Sequence, residues 1–183
     1  MKNFSITKNG KPLDKSLYIR DEKTKTLSTN EYWLVLDFSD YSYCTFKTGS
    51  YCTFKTGSRC TFDTGSGCTF NTGSRCTFDT GSCCTFDTGS DCTFDTSSDC
   101  TFDTSSDCIF DTGYGCTFNA GSRCVVVRRD VYEVIELKEW QKIKLNWYWE
   151  RWYKIIEDEQ EIQEMTLSDV CKELGRNIKI IKE

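Results

Sequence analysis

Between residues 84 and 107 the chain reads CTFDTGSDCTFDTSSDCTFDTSSD, almost the same eight letters three times over. Cysteine recurs at this step from Cys44 through Cys52, Cys60, Cys68, Cys76, Cys84, Cys92, Cys100, Cys108 and Cys116 to Cys124. Phenylalanine follows two places later, from Phe46 to Phe118, and the consensus is C-T-F-D-T-G-S-x. An eight-residue step does not keep one face of an α-helix, and its turn-forming residues recur too often for a helix to persist. Cys and Phe, two apart, lie on one face of a short strand, and the Thr between them points the other way. Asp-Thr-Gly-Ser then turns the corner, with glycine expected to supply a positive φ. Ser97 and Ser105 replace that glycine in two repeats, so glycine is preferred rather than required.

One repeat is too short to close a coil. Eight extended residues span at most about 28 Å. Two facing strands roughly 10 Å apart, with two corners, need a perimeter on the order of 40 Å. Two repeats, sixteen residues, are the simplest solution, and a larger coil stays open as the alternative. The variable eighth position favours two. One alternating set reads Arg59, Arg75, Asp91, Asp107, Arg123, and the other Tyr51, Gly67, Cys83, Asp99, Gly115. Sixteen-residue coils would set Arg75 beside Asp91 and Asp107 beside Arg123. About five coils follow, rising roughly 4.8 Å each, with Phe38 and Val126 read as degenerate repeats at the two ends. The expected core ladder is Cys44, Phe46, Cys52, Phe54, Cys60, Phe62, Cys76, Phe78, Cys92, Phe94, Cys108 and Phe110, with the intervening repeats in the same phase. No single repeat can bury its apolar face alone, so stacking is what makes the core continuous.

The run CTFKTGSYCTFKTGSRCTFDTGSGCTF resembles the octapeptide-repeat parallel β-helix proteins found among viral and bacterial hypothetical proteins. The resemblance covers residues 36–131 and implies a β-solenoid of either hand with no assigned activity. It is similar in principle to pentapeptide-repeat and hexapeptide-repeat solenoids, at a different period. The expected class is mainly β, with a solenoid over 36–131 between two caps. Residues 1–35 read as a β cap: FSIT, SLYIR and EYWLVLDF are strand-like, and Asn9-Gly10 is a turn signal. Residues 132–183 read as a cap of strands plus one helix. In it, Thr166 or Ser168 would cap a helix ending at Leu174-Gly175 and carrying Cys171, before a last strand, NIKII.

Composition narrows function. The chain has 183 residues, a net charge of −5 and no histidine. A basic nucleic-acid surface is therefore not expected. Ser-His-Asp and Cys-His catalysis and the HExxH zinc helix are excluded. The N-terminus has no apolar stretch of signal-peptide type, and no apolar run is long enough to span a bilayer. An intracellular, reducing compartment is expected, host cytoplasm or virion if the source is viral. There the thirteen cysteines suggest packing, metal or redox use before disulfides. Neither CxxC pairs nor histidine partners support a metal site. Cysteines stacked about 4.8 Å apart fit disulfide geometry poorly. Packing as small hydrophobes is the favoured reading, with Cys83 set apart as an exposed thiol.

Other surface readings are weaker. Lys47 and Lys55 at the aspartate position argue against calcium turns. The outward threonines Thr85, Thr93 and Thr101 lack the Thr-x-Thr spacing of ice-binding ladders. Asp87, Asp91, Asp95, Asp99, Asp103, Asp107 and Asp111 form a run with no base between them, expected as an acidic patch. That patch could imitate nucleic acid, or merely keep the rod soluble. The aromatic group of Trp147, Tyr148, Trp149, Trp152 and Tyr153 exceeds what one small cap needs, and so points to association. The reading is a noncatalytic structural or protein-interaction module, homodimeric, with Asp91, Asp99, Asp107, Trp147, Trp149 and Trp152 as candidate contacts and no cofactor. The alternative is a metal-associated or redox protein using its cysteine row.

Overall fold

A computed structural model of the chain describes residues 3–147 and 152–156. The amino-terminal elements are β1 (Ser5–Lys8), β2 (Lys11–Pro12), a 3-10 turn (Lys15–Leu17), β3 (Ile19–Asp21), β4 (Thr26–Ser28) and β5 (Leu34–Phe38). Then come the repeat strands β6 (Thr45–Thr48), β7 (Thr53–Thr56), β8 (Thr61–Thr64), β9 (Thr69–Thr72) and β10 (Thr77–Thr80). They continue as β11 (Thr85–Thr88), β12 (Thr93–Asp95), β13 (Thr101–Thr104), β14 (Ile109–Thr112) and β15 (Thr117–Ala120). The described chain ends with β16 (Val125–Arg128), β17 (Glu133–Glu136), β18 (Ile143–Leu145) and β19 (Tyr153–Ile155).

Successive strands alternate between two sheets. One runs β5-β7-β9-β11-β13-β15 and the other β4-β6-β8-β10-β12-β14-β16, all parallel. The thirteen parallel strands make six coils and a final half, a two-sided parallel β-solenoid. Within the repeats the register is strictly sixteen residues: Phe62 opposes Phe78, and Phe86 opposes Phe102. Two repeats per coil is therefore the observed architecture.

Six and a half coils, rather than five, arise because β4 and β5 join the parallel stack before the cysteine series begins and β16 adds a half coil after Cys124. The expected phase of Phe38 also shifts. Leu36, not Phe38, sits opposite Phe54, and Phe38 lies opposite Thr56. The connection from β5 to β6 has six residues, 39–44, against four between β6 and β7. A slip of two residues keeps every side chain on its own face, so the core tolerates it. Phe38 stays buried and packs edge-on against Phe46 at 5.1 Å.

Ten phenylalanines, Phe46 to Phe118, are at most 1% exposed. In each sheet they stack on one another at 4.8–5.3 Å with planes within 3–11°. Across the core they meet edge to face at 4.9–5.8 Å and 64–77°. Burial of one ring contributes up to about 3 kcal/mol. Each favourable aromatic pair adds about 0.5–1.5 kcal/mol. The second threonine of the repeat also faces inward, from Thr56 to Thr112, which the Cys–Phe reading missed. In most repeats its Oγ1 donates to the next carbonyl, as from Thr56 to Gly57 at 3.2 Å.

The ends are closed by antiparallel strands. β1 and β2 cover β5, β3 covers β4, β17 covers β16, and β18 with β19 covers β15. Pro12 on edge strand β2 has no N–H, which opposes further strand addition. Arg128 is fully buried where β16 ends the threonine column, and is held by Asp130 at 2.6 Å and 3.1 Å. Tyr153–Ile155 pairs antiparallel with Ile143–Leu145, as a hairpin reading of this segment expects. The expected helix with Cys171, and the NIKII strand, lie outside the described residues. Among the described residues no helix is long and apolar enough to cross a membrane.

The corners correct the glycine argument. The positive φ belongs to the eighth position, where Tyr43, Tyr51, Arg59, Arg75, Cys83 and the aspartates all lie between 57° and 62°. The repeat glycines are instead sites of close approach. A Cβ on Gly65 would meet Ser50 Oγ at 2.1 Å, and one on Gly73 would meet Ser58 Oγ at 2.2 Å. Those serines accept from the next coil: Ser66 N–H donates to Ser50 Oγ, and Ser74 N–H to Ser58 Oγ, both at 3.1 Å. The ladder continues to Ser82 and Ser90 and stops there, where Ser97 and Ser105 stand in the glycine place. Gly65→Ala is expected to cost about 1–3 kcal/mol in urea unfolding, as overpacking does. The cost should shrink by at least about 0.5 kcal/mol in a Ser50→Ala background. Strictly additive costs would refute the steric account.

Candidate functional site

The eighth position builds two outward columns, one on each corner. On the first, Tyr43, Arg59, Arg75, Asp91, Asp107 and Arg123 follow one another. Arg59 donates to the Tyr43 hydroxyl and lies over its ring at 5.0 Å. Arg75 reaches Asp91 at 3.6 Å, and Arg123 grips Asp107 with two bonds of 2.6 Å. The Arg123 guanidinium holds the Asp107 carboxyl below the usual carboxylate range. The predicted Arg75–Asp91 and Asp107–Arg123 pairs are thus both formed. On the other corner Trp33 stacks on Tyr51 at 4.4 Å, and the Tyr51 ring leans over Gly67, where a Cβ would lie 2.6 Å from it. Cys83 comes next, and then Asp99 leans over Gly115.

The flat faces carry further columns. On one, Asp63, Asp79, Asp95 and Asp111 stand in register. Lys47 pairs with the first at 3.4 Å, and Arg129 bridges the last two at 2.9 Å each. On the opposite face Asn119 donates to Asp103 at 3.2 Å. The acidic run therefore does not gather on one side. Its seven aspartates divide among both faces and both corners, because adjacent repeats alternate between sheets. Of the candidate contacts, Asp91 and Asp107 share one corner and Asp99 stands on the other. The expected single patch becomes a girdle, partly neutralised within the chain.

The cysteines from Cys52 to Cys124 in the repeat phase are buried free thiols, Cys44 is buried too, and Cys83 is exposed. Each sulfur lies among corner carbonyls: Cys100 Sγ donates toward Gly81 O and Ser98 O at 3.6 Å. The backbone N–H of Cys100 donates to Cys116 Sγ at 3.4 Å. Burial pushes the Cys60 thiol up. Hydrogen bonding with Cys116, and then burial, push Cys100 up to about 12. At the last rung a hydrogen bond from Cys108 pulls Cys124 down to about 7, but Cys124 is 1% exposed and closed to reagents. Among the described residues no three His, Cys, Asp or Glu side chains are grouped to hold a metal ion.

At the carboxyl-terminal end Trp147 is 64% and Trp152 69% exposed, and Trp147 lies against Tyr114 at 5.5 Å. Trp149 lies outside the described residues. Two charged residues escaped the sequence reading. Arg128 continues the inward alternation after Val126, so the period of two would have found it. Arg129 crosses two coils to reach Asp95, a long-range contact with no local signal.

These features define a two-sided parallel β-solenoid whose repeat side chains face inward as Cys, Phe and Thr and outward as Thr, Asp and the variable corner residue. The chain matches no protein-family model, no curated protein and no solved structure. A thiol titration checks the ladder. Cys83→Ser is expected to remove one fast equivalent from the native protein, and Cys84→Ser to leave that phase unchanged. Rapid reaction of many thiols before denaturation would contradict burial of the row.

Proposed function

We propose that this protein is a noncatalytic structural or protein-interaction module whose solenoid spaces and presents contact surfaces. The observation that carries the reading is the exposed indole group at one end, Trp147 and Trp152, on a rod whose repeat chemistry is taken up by packing. Exposed aromatic residues clustered at one place mark association surfaces. The outward aspartates of the girdle would restrict which partners approach, since like-charged surfaces repel. A homodimer through the tryptophan end is the simplest assembly. The resemblance to viral and bacterial octapeptide-repeat proteins fits this reading, and so does a reducing intracellular setting, cytoplasm or virion, that keeps the row as thiols.

Light scattering tests it. Twice the 21.1 kDa chain mass is expected for the parent protein, and a single mass for the Trp147→Ser, Trp152→Ser double variant. A parent protein of single mass would overturn the dimer.

A further inference from the structure

From Tyr43 to Asp107 each left-handed corner residue of the repeats donates its N–H to a carbonyl of the next coil, as Arg59 does to Ser74 at 2.9 Å. Trp152 also lies in the left-handed region, at φ 76°, where the chain enters β19. Among the described residues no further coil follows it. A bulky residue rarely adopts this conformation, and it persists only where the surroundings fix it.

What fixes it is a cluster of charges. Arg128 is fully buried, and its Nε and Nη2 take both carboxylate oxygens of the nearly buried Asp130 at 3.1 Å and 2.6 Å. Nη1 reaches on to the Trp152 carbonyl at 3.4 Å and lies 4.0 Å from Glu133 Oε2. That same Glu133 oxygen accepts from the Trp152 N–H at 3.2 Å. The Asn146 N–H gives the Trp152 carbonyl a second bond, at 3.3 Å. Both backbone polar groups of Trp152, beside one sheet, are thus gripped by side chains from β16 and β17 of the other. The indole is left outside, 69% exposed. Burying charges costs desolvation that apolar packing avoids. A cluster that only closed the rod would do as well with apolar residues, as Ile135 and Leu145 do nearby.

We propose that Arg128, Asp130 and Glu133 form a clasp that fixes the backbone at Trp152, with Arg128 and Glu133 as positioning residues for its indole. The role of the clasp in association rests on the reading of the tryptophan end as a contact surface. A group held in place before contact loses less freedom on binding, so it binds more tightly.

The test is nitrogen-15 amide relaxation of the full chain, with light scattering over a dilution series. The Trp152 N–H is expected to be ordered in the parent, with an order parameter of about 0.85, and to fall below about 0.6 in Glu133→Ala. Glu133→Gln keeps an acceptor for that N–H and should keep the parent's order. Ile143 N–H, in the same cap but outside the clasp, should stay ordered in all three proteins. Self-association should weaken about tenfold in Glu133→Ala and less than about twofold in Glu133→Gln. An unchanged Trp152 order parameter in Glu133→Ala, or loss of order at Ile143 as well, would overturn the clasp. Reduced order with undiminished association would overturn its role in contact. A parent of single mass would overturn the dimer, and the order parameters would still decide the clasp.

Discussion

Strict vertical register is the constraint on which the rest of this structure depends. When parallel strands stack with no offset, each side chain meets its own copy about 4.8 Å above and below. Few residues gain from that. Phenylalanine does, because its rings stack at this spacing and meet the opposite column edge to face. Cysteine does, because it is small and its sulfur rests against corner carbonyls. The inward threonine does where its hydroxyl bonds to its own corner. The eight-letter repeat thus contains the residues that tolerate self-stacking, each on its proper side.

The same constraint explains where charge can stand. An in-register column of one charge repels itself, so the aspartate column on one face is bracketed by Lys47 and Arg129. At the corners the eighth position alternates between sides, and on one corner opposite charges meet across successive coils at Arg75–Asp91 and Asp107–Arg123. Variation is concentrated at this position, although its backbone is left-handed and would favour glycine. Only Gly67 and Gly115 take that option in the repeats, and each is overlain by the side chain one coil before it. What the corners display is therefore bought with backbone strain, which is spread over many small increments along the rod.

Most of the fold was legible because the period alone determines strand, turn and coil size. The parity of the arginines and aspartates identified the sixteen-residue coil without coordinates. What escaped was of another kind. The role of glycine as a close-approach site rather than a positive-φ site depends on a neighbour fifteen residues away, which no local rule reports. The two-residue slip before Cys44 left the inward parity intact, so Phe38 still looked in phase. The acidic run looked like one patch because neighbours in sequence were read as neighbours in space, whereas the coil sends them to opposite sides.

The central claim is that sixteen residues, not eight, form the structural unit. Deleting residues 76–91 removes one whole coil, while deleting 84–91 removes half a coil and would send every later strand to the wrong sheet. Circular dichroism with urea unfolding of the two variants is the most direct measurement. The sixteen-residue deletion should fold with a single cooperative transition near that of the parent. The eight-residue deletion should lose the transition, because the carboxyl-terminal strands β17 and β18 could no longer cover the edges they fit. Equal stability of the two variants would contradict the account.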